Sequence, residues 1–126
     1  MEETKKYRVA VIGSRGYADK ERVFRILNAN KHQIKLIVSG GCKNSADELA
    51  HEWCKETGVP ILIFYPKWHD PETGLSDKGA GFRRNWYIIS QADKVLAFMK
   101  KGGTKGTQNS LDIAKQLDKP TKIVEI

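Results

Sequence analysis

The sequence predicts a single α/β domain of three layers around a mostly parallel, five-stranded sheet, and three observations predict it. Short apolar runs alternate with segments of helical periodicity along all 126 residues. Such alternation reads as strand–helix–strand crossovers, which are right-handed and pair strands in parallel. The apolar runs are continuous rather than alternating with polar residues, as in strands covered on both faces. Glycines gather just after the strands, at the edge where open α/β sheets bind ligands.

Each element follows in order. Arg8-Val9-Ala10-Val11-Ile12 is an apolar run that stops at Gly13. Lys20 to Asn30 carries Val23, Ile26 and Leu27 on one helical face. Leu36-Ile37-Val38 is a second buried-strand pattern and ends at Ser39-Gly40-Gly41. Ser45-Ala46-Asp47-Glu48 has the form of a capping box, which opens a helix with Ala46, Leu49, Ala50 and Trp53 on one side. Gly58 supplies its stop. Ile61 to Tyr65 is the third strand, and a polar loop runs from Pro66 to Gly79. A helix from Ala80 to Gln91 places Phe82, Trp86 and Ile89 in register. Lys94 to Met99 is the fourth strand, and the helix beyond it turns Ile113, Ala114 and Leu117 inward. Pro120 precedes a last strand, Thr121 to Glu125. Five strands and four helices without a linker or repeat make one Rossmann-like domain over residues 1–126.

Composition narrows the class. A hydrophobic fraction of 40% with 29% charged residues excludes a disordered chain. No apolar run is long enough to span a bilayer. The charged start Met1-Glu2-Glu3-Thr4-Lys5-Lys6 has no apolar stretch behind it, so the expected location is cytoplasmic, with no membrane partner. Cys42 and Cys54 stand in no metal-binding spacing and read as free thiols. His69-Asp70 has no further ligands spaced to complete a metal site, and it reads as a solvated loop pair. No cofactor fingerprint occurs. The net charge of +7 favours anionic partners.

The glycine-rich turns carry the chemistry. In Gly13-Ser14-Arg15-Gly16, glycine permits close approach of backbone amides, Ser14 adds a hydroxyl and Arg15 a fork of donors for phosphate or carboxylate. The turn lacks the dinucleotide pattern GxGxxG, and as a bare motif it also reads as plain punctuation. Gly40-Gly41-Cys42-Lys43-Asn44-Ser45 is similar, and Asp47 falls in the first turn of the following helix, where its plain role is to complement the helix dipole. Gly102-Gly103-Thr104-Lys105-Gly106-Thr107 leads into a helix, so its amides and the positive helix end favour an anion. Its order, Lys-Gly-Thr, is not that of a P-loop, and Thr107 reads alternatively as a helix N-cap. Lys78 to Asn85 joins small residues to Arg83 and Arg84 at a helix start, with one arginine directed to the crevice and the other to water. Trp68 in the preceding loop, or Tyr17, offers a ring to stack on a base.

Taken together, these blocks resemble the SLOG superfamily, relatives of the Lonely Guy phosphoribohydrolases and of the DNA-processing protein DprA, and within it the small YspA-like branch. The matching residues are Gly13-Ser14-Arg15, Ser39-Gly40-Gly41 with Ala46-Asp47, Trp68, Ala80-Gly81 with Arg84-Asn85, and Gly103-Thr104-Lys105-Gly106-Thr107, in the family's order. The resemblance implies a SLOG-like pocket for a nucleotide derivative built from these blocks. Departures bear on activity. The Lonely Guy loop PGGxGTxxE supplies a glutamate to the chemistry, whereas this loop lacks the proline and has Ser110 in the glutamate's place. Arg84 falls where their RK pair puts its arginine, with Asn85 for the lysine. Asn44-Ser45 replaces the glycine that more usually precedes Ala-Asp in the YspA-like branch.

The function expected first is binding of a nucleotide or phosphorylated nucleotide derivative, ADP-ribose-like or a nucleoside phosphate, by a sensor, carrier or sequestering protein. The second is an N-glycosidic hydrolase, which needs a positioned carboxylate. Asp47 is the catalytic candidate; neither it nor Asp112 is in register with the family glutamate. The third is single-stranded nucleic acid binding, which wants several aromatics in a basic groove. Clustered lysines are present, with few aromatics among them. A homo-oligomer is compatible with all three.

Overall fold

The computed structural model describes residues 5–13, 19–40, 45–65, 80–99 and 105–125. Its elements are β1 (Tyr7–Gly13), α1 (Lys20–Asn30), a 3-10 turn (Lys31–Gln33), β2 (Ile34–Ser39), α2 (Ala46–Thr57), β3 (Ile61–Ile63), α3 (Ala80–Gln91), β4 (Lys94–Met99), α4 (Lys105–Gln116) and β5 (Thr121–Glu125). The strands form one sheet in the order β3-β2-β1-β4-β5, and every pair is parallel. The chain winds outward from β1 to β3, crosses back to β4 and continues to β5. The winding therefore reverses between β1 and β4, which pair from Val9↔Lys94 to Gly13↔Phe98.

Three layers follow from the pleat. Successive strand residues point to opposite faces, and both faces are covered. On one, Val11, Leu96 and Phe98 pack with Val23 and Leu27 of α1 and Ala50 and Trp53 of α2. On the other, Ala10, Ile12, Val95 and Ala97 pack with Ile88 and Ile89 of α3 and Ile113 and Ala114 of α4. The continuous apolar runs are thus two interleaved faces, each buried under its own helix pair.

The helix ends place the loops. Asp19 caps α1 by accepting from the Arg22 amide at 3.1 Å. Ser45 caps α2, but its Oγ accepts from the Asp47 amide at 3.1 Å rather than from Glu48, so the S-x-x-E pattern marks the helix start without forming the expected box. Gly58 closes α2 at φ 78°, left-handed backbone that favours glycine, and donates to the Cys54 carbonyl.

Three other expectations are corrected. β3 ends at Ile63, and the Phe64 amide makes one more bond, to the Ser39 carbonyl at 2.9 Å. Trp86 is 48% exposed. The inward stripe of α3 is Asn85, Ile88, Ile89 and Ala92, which runs on just past its end, and Trp86 falls one residue off it. Leu117 is also exposed, because α4 ends at Gln116 and the stripe of Ile113 and Ala114 stops with it. Cys54 is a core thiol, pushed up to about 11 by burial, while Cys42 lies outside the described residues.

One polar knot ties β4 to β1. The Arg8 amide donates to the Asp93 carboxylate at 2.8 Å, its guanidinium reaches the other oxygen at 3.4 Å, and the Asp93 amide returns a bond to the Arg8 carbonyl. The backbone bond, chiefly, holds the Asp93 carboxyl below its usual 3.8. A depressed folded value contributes stability above the unfolded value, and that stability is lost as pH falls through the folded one. Both side chains are about 40% exposed, so solvent keeps the effect below about 1 kcal/mol. The expected result in urea titrations is a smaller loss of stability for Asp93→Asn than for the native chain as pH falls below 3.8.

Candidate anion-binding edge

The carboxyl ends of the strands bring part of the expected site together. Gly13 ends β1, Gly40 follows β2, Asp47 opens α2, Arg84 and Asn85 lie in α3, and Lys105, Gly106 and Thr107 form the first turn of α4. Ser14, Arg15, Gly41, Trp68, Gly103 and Thr104, with Tyr17 and the His69-Asp70 pair, lie outside the described residues.

Gly13 makes room for protein. A Cβ there would stand 2.7 Å from Ala46 Cβ and 3.0 Å from the Phe98 carbonyl oxygen. The start of α2 therefore packs directly on the end of β1, which sets the entry of that helix and of Asp47 within it.

Gly40 does the same for a side chain. Arg84 Nη1 donates to the Gly40 carbonyl at 2.7 Å, and Arg84 Nε donates to Asn85 Oδ1 at 3.0 Å. A Cβ at Gly40 would lie 2.4 Å from Nη1 and 3.2 Å from Asp47 Oδ2, so arginine and aspartate flank one point at the end of β2. Asp47 is 7% exposed in the first turn of α2, with Oδ2 toward Gly40. Of the two arginines, Arg83 is exposed and Arg84 half-buried. Two bonds hold the guanidinium plane, and no described residue accepts from Nη2.

Asn85 carries the arrangement to α4, donating from Nδ2 to Asn109 Oδ1 at 3.2 Å. Thr107 is buried and is the third residue of α4, so it stands inside the helix and is not its N-cap. The amides of Lys105, Gly106 and Thr107 belong to the first turn, which has no intrahelical acceptors. Ser110, one turn on from Thr107, is 2% exposed and continues the inward stripe. Among the described residues no group of three His, Cys, Asp or Glu comes together as metal ligands would, and no helix is long and apolar enough to cross a membrane.

Sequence reasoning missed one feature beside this edge. Phe64, just after β3, stacks on Tyr87 of α3 with centroids 6.2 Å apart, and Trp86 meets Tyr87 edge-on at 5.7 Å. The available signal was the adjacency of Trp86-Tyr87 to Arg83-Arg84 in the sequence; assigning Trp86 to the core concealed it.

The all-parallel sheet, its reversal between β1 and β4, and Gly13 and Gly40 at that edge define a Rossmann-like α/β protein. Residues 7–70 match the model of the YspA, cpYpsA-related SLOG family, and the chain belongs to that family. Comparison with curated protein sequences gives no match. Among solved structures, the fold is similar to that of DNA processing protein A from Helicobacter pylori, described for its single-stranded DNA binding mode. The TM-score is 0.72 at 20% identity, over 94% of this chain and 65% of that one, so this chain spans less than two thirds of its length.

Proposed function

We propose that this protein binds a nucleotide or phosphorylated nucleotide derivative at the carboxyl edge of its sheet, as a sensor, carrier or sequestering protein. One observation carries the reading: the guanidinium of Arg84, fixed by Gly40 and Asn85, keeps Nη2 unengaged by any described residue beside the end of β2. A fork held in place loses little freedom on meeting a phosphate, and its bonds to an anion are charge-assisted. The first turn of α4 adds amides and a positive helix end on the same edge.

The hydrolase reading asks for an acid where Ser110 stands, and that position faces inward on α4. Asp47 is the remaining candidate, held beside Gly40 and Arg84. We therefore expect binding without turnover. A thermal melt with a panel of nucleoside monophosphates and ADP-ribose should show a midpoint that rises with ligand concentration. Chromatography of the same mixtures should show no free base. Release of base over many turnovers, abolished by Asp47→Asn, would establish the hydrolase instead.

Single-stranded nucleic acid is the second reading. It is favoured by the grouping of Phe64, Trp86 and Tyr87 next to the exposed Arg83, and by the DNA-binding relative of the same fold.

A further inference from the structure

We propose that the aromatic wall of Phe64, Tyr87 and Trp86 receives the nucleobase of a ligand whose phosphate is held at Arg84. The inference rests on the anion-binding reading above and assigns it a second contact, absent from the sequence-based candidates.

Two rings of the wall are exposed, and each of the three packs on another. Tyr87 is 51% and Trp86 48% exposed. Rings left open to water in a cluster mark a contact surface rather than stray apolar residues. The stacked Phe64–Tyr87 pair and the edge-on Trp86–Tyr87 pair hold one another in favoured aromatic geometries, so little freedom remains to be lost when a base arrives.

The wall is also joined to the arginine. Tyr87 follows Arg84 by three residues in α3, which makes the two neighbours on the helix surface. The Phe64 amide donates to the carbonyl of Ser39, the residue before Gly40, and the Gly40 carbonyl accepts from Arg84. The rings therefore begin one residue from the arginine's anchor. A cation and a ring at neighbouring helix positions suit an anionic group attached to a flat heterocycle. Stacking uses the face every base possesses, so the wall should not discriminate strongly among bases.

Calorimetric titration of the full chain with AMP and with ribose 5-phosphate tests this, in the native protein, Tyr87→Ala, Tyr87→Phe and Trp86→Ala. Both positions are on the surface, where substitutions perturb folding little. We expect AMP to bind roughly tenfold or more tightly than ribose 5-phosphate. Tyr87→Ala should remove most of that advantage without changing ribose 5-phosphate, Tyr87→Phe should keep it, and Trp86→Ala should reduce it. Equal affinity of the two ligands for the native chain, or an advantage unchanged in both alanine variants, overturns the wall while leaving the phosphate site standing. Sedimentation of the same samples addresses the other occupant: a dimer that both alanine variants dissociate, with AMP affinity intact, makes the wall a self-association face and overturns the proposal. A short oligodeoxythymidylate is the third titrant. If Tyr87→Ala weakens only its binding, the wall serves a strand instead of a nucleotide and the proposal is overturned. If none of the three ligands binds, the anion-binding reading fails and the wall with it.

Discussion

Trp53→Ala should lower the unfolding free energy by about 3–5 kcal/mol. Trp53 is the largest fully buried side chain among the described residues, and it lies in the cluster that α1 and α2 build over the sheet. Truncation leaves a cavity that the helix pair fills only in part. It also removes the 2.8 Å bond from Nε1 to Asn28 Oδ1 on α1, although Asn28 is exposed and water can replace that donor. A domain of this kind is stable by about 5–15 kcal/mol in all, so one substitution takes a third or more of a typical value. Trp53→Phe keeps most of the packing and loses the bond, and should cost clearly less. Urea unfolding followed by far-UV circular dichroism measures both. A loss under about 1.5 kcal/mol for Trp53→Ala would mean that this face of the sheet is far more adaptable than its packing indicates.

Arg84→Ala should weaken nucleotide binding by about 1.5–3 kcal/mol, roughly 10- to 150-fold in Kd. The size of the loss follows from what holds the side chain. Nη1 is committed to Gly40 and Nε to Asn85, which fixes the plane and directs the remaining donors. Lysine has no planar fork, so Arg84→Lys should recover little of the loss. The substitution has a structural cost too, because Gly40 is buried and its carbonyl loses a partner. Affinity is therefore measured by calorimetry well below each variant's own unfolding midpoint. Unchanged affinity in a folded Arg84→Ala would make the arginine only a brace between α3 and the end of β2.

Much of the fold was legible in the sequence. α1, α3, β4 and β5 occupy the spans their periodicity or apolar runs indicate, because a buried strand and an amphipathic helix leave strong local patterns. What was not legible depends on contacts between distant residues. That β3 stops at Ile63 is decided by the ladder with β2, which reaches Ser39. That Trp86 faces water is decided by α3 turning Asn85 and Ile88 inward. The edge shows the same limit. The glycines were visible as points of close approach, yet at Gly13 and Gly40 the group that approaches is Ala46 in one case and Arg84 in the other. Nothing in the local sequence names such a partner. The pairing of Arg84 with a carbonyl 44 residues earlier exists only once helix and strand are packed.

An anion bound at this edge of the sheet would perturb the backbone and guanidinium groups around it. Titration of the isotopically labelled protein with AMP, followed by amide and guanidinium chemical shifts, tests it most directly. Saturable shifts are expected, confined to Gly40, Asp47, the Arg84 Nε–H and the first turn of α4, with the amino ends of the strands unmoved. Saturable shifts centred instead on the groove at the opposite end, around Tyr7, Lys94 and Lys122, or no shifts at all with AMP, ADP-ribose or an oligodeoxythymidylate, would contradict it.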